Sequence, residues 1–224
     1  MIIPIEIWSD IACPWCFVGK ANLDTAIREL TDEVPELQFH IRWRAFELDP
    51  RPREPSTQNY IERLAAKYQR SAEEAQQMID NMTGAINDAG GHADFGKVLA
   101  ANTFDAHRLI QWAGETDRAG ETGNAQHQLT DAFMRGYLGN GIDLGRDEDM
   151  LGVVESVGLD QTAAQEVLAS KQFADVVRAD EQMAELQGIR GVPFFVIGGY
   201  GLSGAQPSST LAAAMQQARS GRGE

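Results

Sequence analysis

Apolar residues recur along the 224-residue chain in more than one rhythm, and each rhythm predicts a different element. The chain opens with Ile2-Ile3-Pro4-Ile5-Glu6-Ile7-Trp8, the nearly unbroken apolar run expected of a buried strand. A helical spacing follows, with Phe17, Val18, Leu23, Ala26, Ile27 and Leu30 on one stripe. Pro14 suits the first turn of that helix, where a missing N–H costs nothing. Between Leu37 and Leu48 the period shortens to two, with Phe39, Ile41, Trp43 and Ala45 alternating against His40, Arg42 and Arg44. Together these segments predict a β-α-β unit with parallel strands and a right-handed crossover.

The proline-rich stretch Asp49-Pro50-Arg51-Pro52-Arg53-Glu54-Pro55 interrupts the pattern, and the texture beyond it is helical. Thr57 is a candidate cap for a helix bearing Tyr60, Ile61, Leu64 and Tyr68, and Ser71-Ala72-Glu73-Glu74 has capping-box spacing ahead of Met78 and Met82. Asn102 is a candidate cap for a helix carrying Phe104, His107, Leu109, Ile110 and Ala113. Further helices are expected over about 125–138, 147–157, 160–169 and 171–187, with Gly158 and Gly188 as stops. Strand texture then returns at Phe194-Phe195-Val196-Ile197, followed by a Gly198-Gly199 turn and a short partner strand, Tyr200-Gly201-Leu202. A last helix of about 208–219 carries Leu211, Ala214, Met215 and Ala218. The order β-α-β, helical block, β-β-α makes one α/β layer only if the block is an insertion. Residues 1–50 and 189–224 are therefore expected to form a discontinuous α/β domain, with 51–188 as an all-helical insertion.

Composition narrows the class. With 43% hydrophobic residues the chain can bury a real core, and no run of eighteen apolar residues suggests a membrane-crossing helix. No basic leader precedes the first strand pattern, and there are only two cysteines, so a reducing, cytoplasmic setting is expected. The net charge of −14 argues against nucleic-acid and anionic-membrane partners. Most of it, −11, falls within residues 51–188, as a solvated acidic helical surface would. No pattern fixes an oligomeric state.

The two cysteines stand together as Cys13-Pro14-Trp15-Cys16. Placed at random in a chain this long, two cysteines would adopt that spacing in about one draw in a hundred. A thiolate is the species that attacks a disulfide, and Cys13 at the N-cap would have its negative charge favoured by amide groups and the helix dipole. Cys13 is thus the expected nucleophile, and Cys16, one turn inside the helix, the resolving thiol. Trp15 offers no cation to favour a thiolate, which predicts a milder oxidant than enzymes whose attacking thiol titrates at about 3.5. Asp10 is expected to orient the loop, the alternative being that its charge disfavours the thiolate. Gly191-Val192-Pro193-Phe194 places a proline at a strand start, where either a trans or a cis bond fits.

Other motifs recede. His107 falls at helical spacing from Phe104 and Ile110, a position filled more often by a satisfied core histidine than by a catalytic one. His40, His92 and His127 show no metal spacing, and Cys13 with Cys16 would need two further ligands to hold zinc, so no metal is expected. Gly199-Tyr200-Gly201-Leu202-Ser203-Gly204 matches a dinucleotide fingerprint by letter, but too little chain follows for a β-α-β unit. Of the aromatic cluster Trp8, Trp15, Phe17, Trp43 and Phe194, Trp15 is the member expected at the surface.

A strand, CPWC opening a helix, a helical insertion, Gly-Val-Pro and a hairpin resemble the DsbA branch of the thioredoxin superfamily. Four segments, 9–16, 102–109 (Asn102-Thr103-Phe104-Asp105-Ala106-His107-Arg108-Leu109), 191–197 and 202–206, resemble its FrnE-like cytoplasmic dithiol oxidoreductases. The resemblance implies a thioredoxin fold with a large helical insertion, and a helical lid over the site from about 50 to 188. It also implies that Cys13 and Cys16 are the redox pair and that Pro193 is a cis-proline facing them. Kappa-class glutathione transferases and 2-hydroxychromene-2-carboxylate isomerases share the branch, and they typically carry serine where Cys13 stands. By resemblance to them, glutathione, as redox partner or co-substrate rather than a bound cofactor, would pair with the Val192 backbone and reach Ser203 to Gln206.

Three functions follow as expectations. The first is a thiol–disulfide oxidoreductase or isomerase acting on a disulfide-containing protein or a small-molecule thiol. The second is a glutathione-dependent transferase or isomerase. The third is a binding module whose CPWC pair senses redox state.

Overall fold

Strand β1 (Ile2–Ser9) runs parallel to β2 (Gln38–Ala45), in register from Ile2 opposite Gln38 to Ser9 opposite Ala45. The computed structural model describes residues 2–51, 58–119 and 124–221. Helix α1 (Pro14–Glu33) links the two strands. Strand β3 (Phe194–Ile197) joins the other side of β1 antiparallel, and β4 (Tyr200–Ser203) pairs antiparallel with β3, for the order β2-β1-β3-β4. The C-terminal helix α9 (Ser208–Ser220) packs with α1 on one face of this sheet. The architecture is a thioredoxin fold enlarged by helices between β2 and β3.

The apolar run of β1 has a physical reason. Ile3, Ile5 and Ile7 are buried in the main core with α1 and α9, while Trp8 is buried in a second cluster with Ala184 and Ile189 on the opposite face. Both faces are covered, so almost every position is apolar.

The intervening helices are α2 (Tyr60–Tyr68), α3 (Ala72–Asp88), α4 (Phe104–Ala119), α5 (Ala125–Arg135), α6 (Asp147–Ser156), α7 (Gln161–Leu168) and α8 (Ala174–Leu186). The Ser71 capping box forms as expected. Helix α2 starts from a second capping box, Asn59 with Glu62, whereas Thr57 lies outside the described residues. The expected 125–138 helix stops at Arg135 and widens into a π turn, Gly136–Asn140. A Cβ on Gly139 would lie 2.5 Å from the His92 carbonyl oxygen, so this turn requires a residue without a side chain. The expected 171–187 helix begins only at Ala174, because Phe173 takes a left-handed backbone with φ of 63°. Helices α4, α5 and α8 pack on β2, and α3 packs on α1.

Arg44 departs from the alternating pattern. The period of two puts it on the polar side of β2, yet its guanidinium is buried, donating to Asp180 Oδ1 at 2.7 Å and to Glu6 Oε1. The second Asp180 oxygen accepts the Ala45 N–H at 3.2 Å. Helix α8 thus closes over the end of the strand through a charged clasp.

A second network joins α1 to α5. Lys20, buried, lies 2.7 Å from Asp24 Oδ2 and 2.8 Å from Asp131 Oδ1. His127 Nδ1 accepts the Trp43 indole N–H at 3.2 Å, so its Nε2 carries the hydrogen facing Asp24 Oδ1 at 2.9 Å. Burial alone would raise the Asp24 carboxyl, but His127 and then Lys20 bring it below its usual value. Burial likewise opposes ionisation of Asp131, and Lys20 with Arg135 overcomes it. Carboxyls depressed in the folded chain contribute stability above their unfolded pKa and lose it as pH falls through the folded one. Unfolding in urea should therefore become easier below pH about 4. Lys20→Met should flatten that acid-side loss; an unchanged profile would show that the network contributes nothing.

Candidate active site

Strand β1 ends at Ser9, and the loop that follows is held by Asp10. Its Oδ1 accepts the Ala12 N–H at 3.3 Å, its Oδ2 accepts the Leu48 N–H at 2.7 Å, and its carbonyl accepts the Cys13 N–H at 3.1 Å. The carboxylate ties the loop to the segment beyond β2, the orienting role expected of it.

That loop delivers Cys13 to the N-cap of α1 with an extended backbone, φ −95° and ψ 111°, and Pro14 follows at the first helical position. The Cys13 carbonyl accepts the Cys16 N–H at 3.0 Å, and no acidic residue occupies the first turn. Cys13 therefore stands at a helix N-terminus whose first turn carries no carboxylate. Both cysteines are free thiols.

The two sulfurs differ in surroundings. Cys16 is 1% exposed, and burial pushes its thiol well above the usual range, reinforced by the hydrogen bond and charge of Cys13. The Ser9 hydroxyl and the Asp10 backbone oppose that rise in part. Cys13 is 5% exposed and its Sγ points at the Val192 carbonyl oxygen, 3.6 Å away. The Val192–Pro193 bond is cis, as the resemblance implied. Trp15 is 44% exposed, forming an indole surface beside the pair.

Gly19, one turn beyond Cys16, was not singled out by any motif. A Cβ there would fall 2.8 Å from Pro193 Cγ, so α1 needs glycine to seat against the proline. Tyr60 was read only as a helix-stripe residue. Its phenol is pushed up to about 12, first by burial and, against the opposing Arg63 charge, by the charge of Cys13. The start of α2 therefore lies within electrostatic reach of the sulfur. Sequence spacing carries no signal for either role, because both partners are distant in the chain.

The remaining expected residues divide. Ser203 pairs with Phe194, and the Gly204 N–H donates to the Pro193 carbonyl at 2.8 Å, which brings the 203–206 turn against the cis-proline. Gln206 folds back, its Nε2 donating to the Ser203 carbonyl at 2.7 Å. Asn102 caps α4 by accepting the Phe104 N–H at 3.0 Å and also donates to Glu47 at 2.8 Å. His107 is buried beside Asp10, with its Nε2 3.4 Å from Oδ1 but completing no hydrogen bond. Among the described residues no cluster of three His, Cys, Asp or Glu side chains is placed to hold a metal. An open cavity of about 390 Å³ along β2, lined by His40, Arg42, Gln126 and His127 among others, includes none of these residues.

Comparison with known proteins bears on the family and the fold. A profile of the DSBA-like thioredoxin domain matches residues 4–216. A solved structure of a probable DsbA oxidoreductase from Streptomyces coelicolor is 37% identical with a TM-score of 0.85, covering 99% of this chain and 92% of that one. The uncharacterized protein YwbO of Bacillus subtilis is 27% identical over 206 residues, 92% of each chain. The cytosolic disulfide reductase DsbM from Pseudomonas aeruginosa, solved with GSH, shares the fold at 15% identity and a TM-score of 0.59, covering 96% of this chain and 99% of that one.

Proposed function

We propose that this chain, which belongs to the DSBA-like thioredoxin domain family, is a thiol–disulfide oxidoreductase or isomerase working through Cys13 and Cys16. The observation that carries the reading is the Cys13 sulfur, set at a helix N-cap and aimed at the Val192 carbonyl, with a protonated Cys16 behind it. The Cys13 thiolate attacks one sulfur of a partner disulfide, breaking that S–S bond and expelling the other sulfur as a thiolate. Cys16, after losing its proton, attacks Cys13, closing the Cys13–Cys16 disulfide and releasing the partner's second thiolate. The Val192 backbone beside Pro193 positions the partner chain, Pro14 shapes the helix mouth, and exposed Trp15 gives an apolar contact. The partner is a disulfide-containing protein or a small thiol, neither nucleic acid nor membrane, and the setting is cytoplasmic.

A second reading rests on the 203–206 turn packed against Pro193. There a glutathione main chain would pair with Val192 and its γ-glutamyl end would meet Ser203 and Gln206, making the chain a glutathione-dependent transferase or isomerase. A titration in glutathione redox buffers, followed by Trp15 fluorescence, tests the first reading. Reversible closure of the Cys13–Cys16 disulfide is expected, with a potential at or below about −270 mV marking a reductant and one of about −120 mV an oxidant. A pair that never closes at any poise would sink it.

A further inference from the structure

At the end of β1 lies a small cavity, about 10 Å³, walled by Ser9, Arg44, His107, Gln111, Thr130 and Met134 among others. That is room for about one water. Most polar groups in its wall are committed elsewhere. Gln111 Nε2 donates to the Trp43 carbonyl at 2.9 Å, Thr130 Oγ1 donates to the Gln126 carbonyl at 2.8 Å, and Arg44 is clasped by Glu6 and Asp180. Two are not. Ser9 Oγ, which bears on the Cys16 thiol, and His107 Nε2 are both buried, and neither finds a hydrogen-bond partner across the cavity. Buried polar atoms are seldom left without a partner, so two facing one polar cavity call for a shared occupant.

We propose that this cavity is a water site joining Ser9 Oγ to His107 Nε2, and that hydroxyl, water and imidazole form the path by which the Cys16 thiol surrenders its proton. The inference rests on the oxidoreductase reading. Ser9 stands beside the Cys16 thiol at one end of the path. At the other, Asp10 Oδ1 lies 3.4 Å from His107 Nε2, so an imidazolium formed there faces a carboxylate oxygen.

The transfer balances. In the mixed disulfide Cys16 gives its proton to Ser9 Oγ, which passes its own to the water, which passes one to His107 Nε2. The Cys16 thiolate then attacks the Cys13 sulfur, and the Cys13–partner bond breaks with both electrons on the partner's sulfur. In the reverse direction the imidazolium returns the proton as Cys16 leaves Cys13. Titratable groups around the imidazole are Asp10 from the β1–α1 loop and, across the cavity, Arg44 from β2, whose charge is balanced by Asp180 from α8 and Glu6 from β1; Cys16 is reached through Ser9. Helix α5 adds only Thr130 and Met134 to the cavity, and Arg108, the neighbour of His107 on α4, turns away to the carbonyls of Val167 and Ser170.

Ellman's disulfide separates the steps, because Cys13 attack releases one thionitrobenzoate and Cys16 attack releases the second. Proton transfer by positioned groups contributes typically 10²- to 10⁴-fold. In Ser9→Ala and His107→Gln the ratio of second to first release rate should fall at least about tenfold near pH 7. The pH dependence of the second release should change with it, and Ser9→Thr should recover most of the loss. In the unaltered chain only the second release should slow in heavy water. Both releases slowing together in the variants, or an equal heavy-water rate for the second release, would overturn the path. Absence of the first release in the unaltered chain would instead overturn the oxidoreductase reading.

Discussion

Cys13→Ser is expected to reduce insulin disulfide reduction to the uncatalysed background. Every bond made or broken in the proposed exchange involves the Cys13 sulfur, and a serine oxygen at that position neither forms nor resolves a disulfide. The helix N-cap and the Val192 carbonyl would remain, so a partner could dock but not react. Cys16→Ser should behave differently: Cys13 still attacks, and the mixed disulfide accumulates because the resolving thiol is gone. Mass spectrometry of the trapped adduct distinguishes the two variants. Full turnover of a glutathione-dependent small substrate by Cys13→Ser would reject the exchange reading and favour a transferase or isomerase. Redox-dependent capture of a partner without either activity would favour a sensing module.

Arg44→Ala is expected to destabilise the fold by about 3–5 kcal/mol, the usual effect of removing one partner of a buried ion pair. Asp180 sits with its side chain 2% exposed, and burial already raises its carboxyl above the usual range despite the facing guanidinium. Without Arg44 it would keep the Ala45 amide and the more distant charge of Arg42. The loss should appear as a lower urea midpoint with little change in slope. The paired change Arg44→Met with Asp180→Leu should restore most of it, because apolar replacements remove both desolvated charges. A loss under about 1 kcal/mol in Arg44→Ala would place the clasp among ordinary surface pairs.

Much of the fold was legible because periodicity reports burial directly. The unbroken run of β1, the spacing on α1 and the β3–β4 hairpin each follow from which faces are covered. Legibility failed where a distant element changed a residue's environment. Arg44 reads as a solvated position until α8 brings Asp180 to it. The 171–187 stretch reads as one helix, but the left-handed backbone at Phe173 delays its start. In the π turn after Arg135, Gly139 lies too close to the His92 carbonyl for any side chain, a contact no local pattern announces.

The candidate site divides along the same line. Cys13, Pro14 and Cys16 are neighbours in the chain, so their spacing alone assigned an N-cap thiol, a helix start and an interior thiol. The sequence by itself thus determined the elements, the β-α-β and β-β-α halves and the residues of the proposed redox pair. Only the tertiary structure decided what surrounds that pair. It set Val192 and Pro193 against Cys13, seated Pro193 on Gly19, and brought Ser9, Asp10 and His107 together at the end of β1. Those neighbours lie up to 179 residues apart. A thiol's protonation depends on charge and burial in three dimensions, and these are properties of the packed chain rather than of local order.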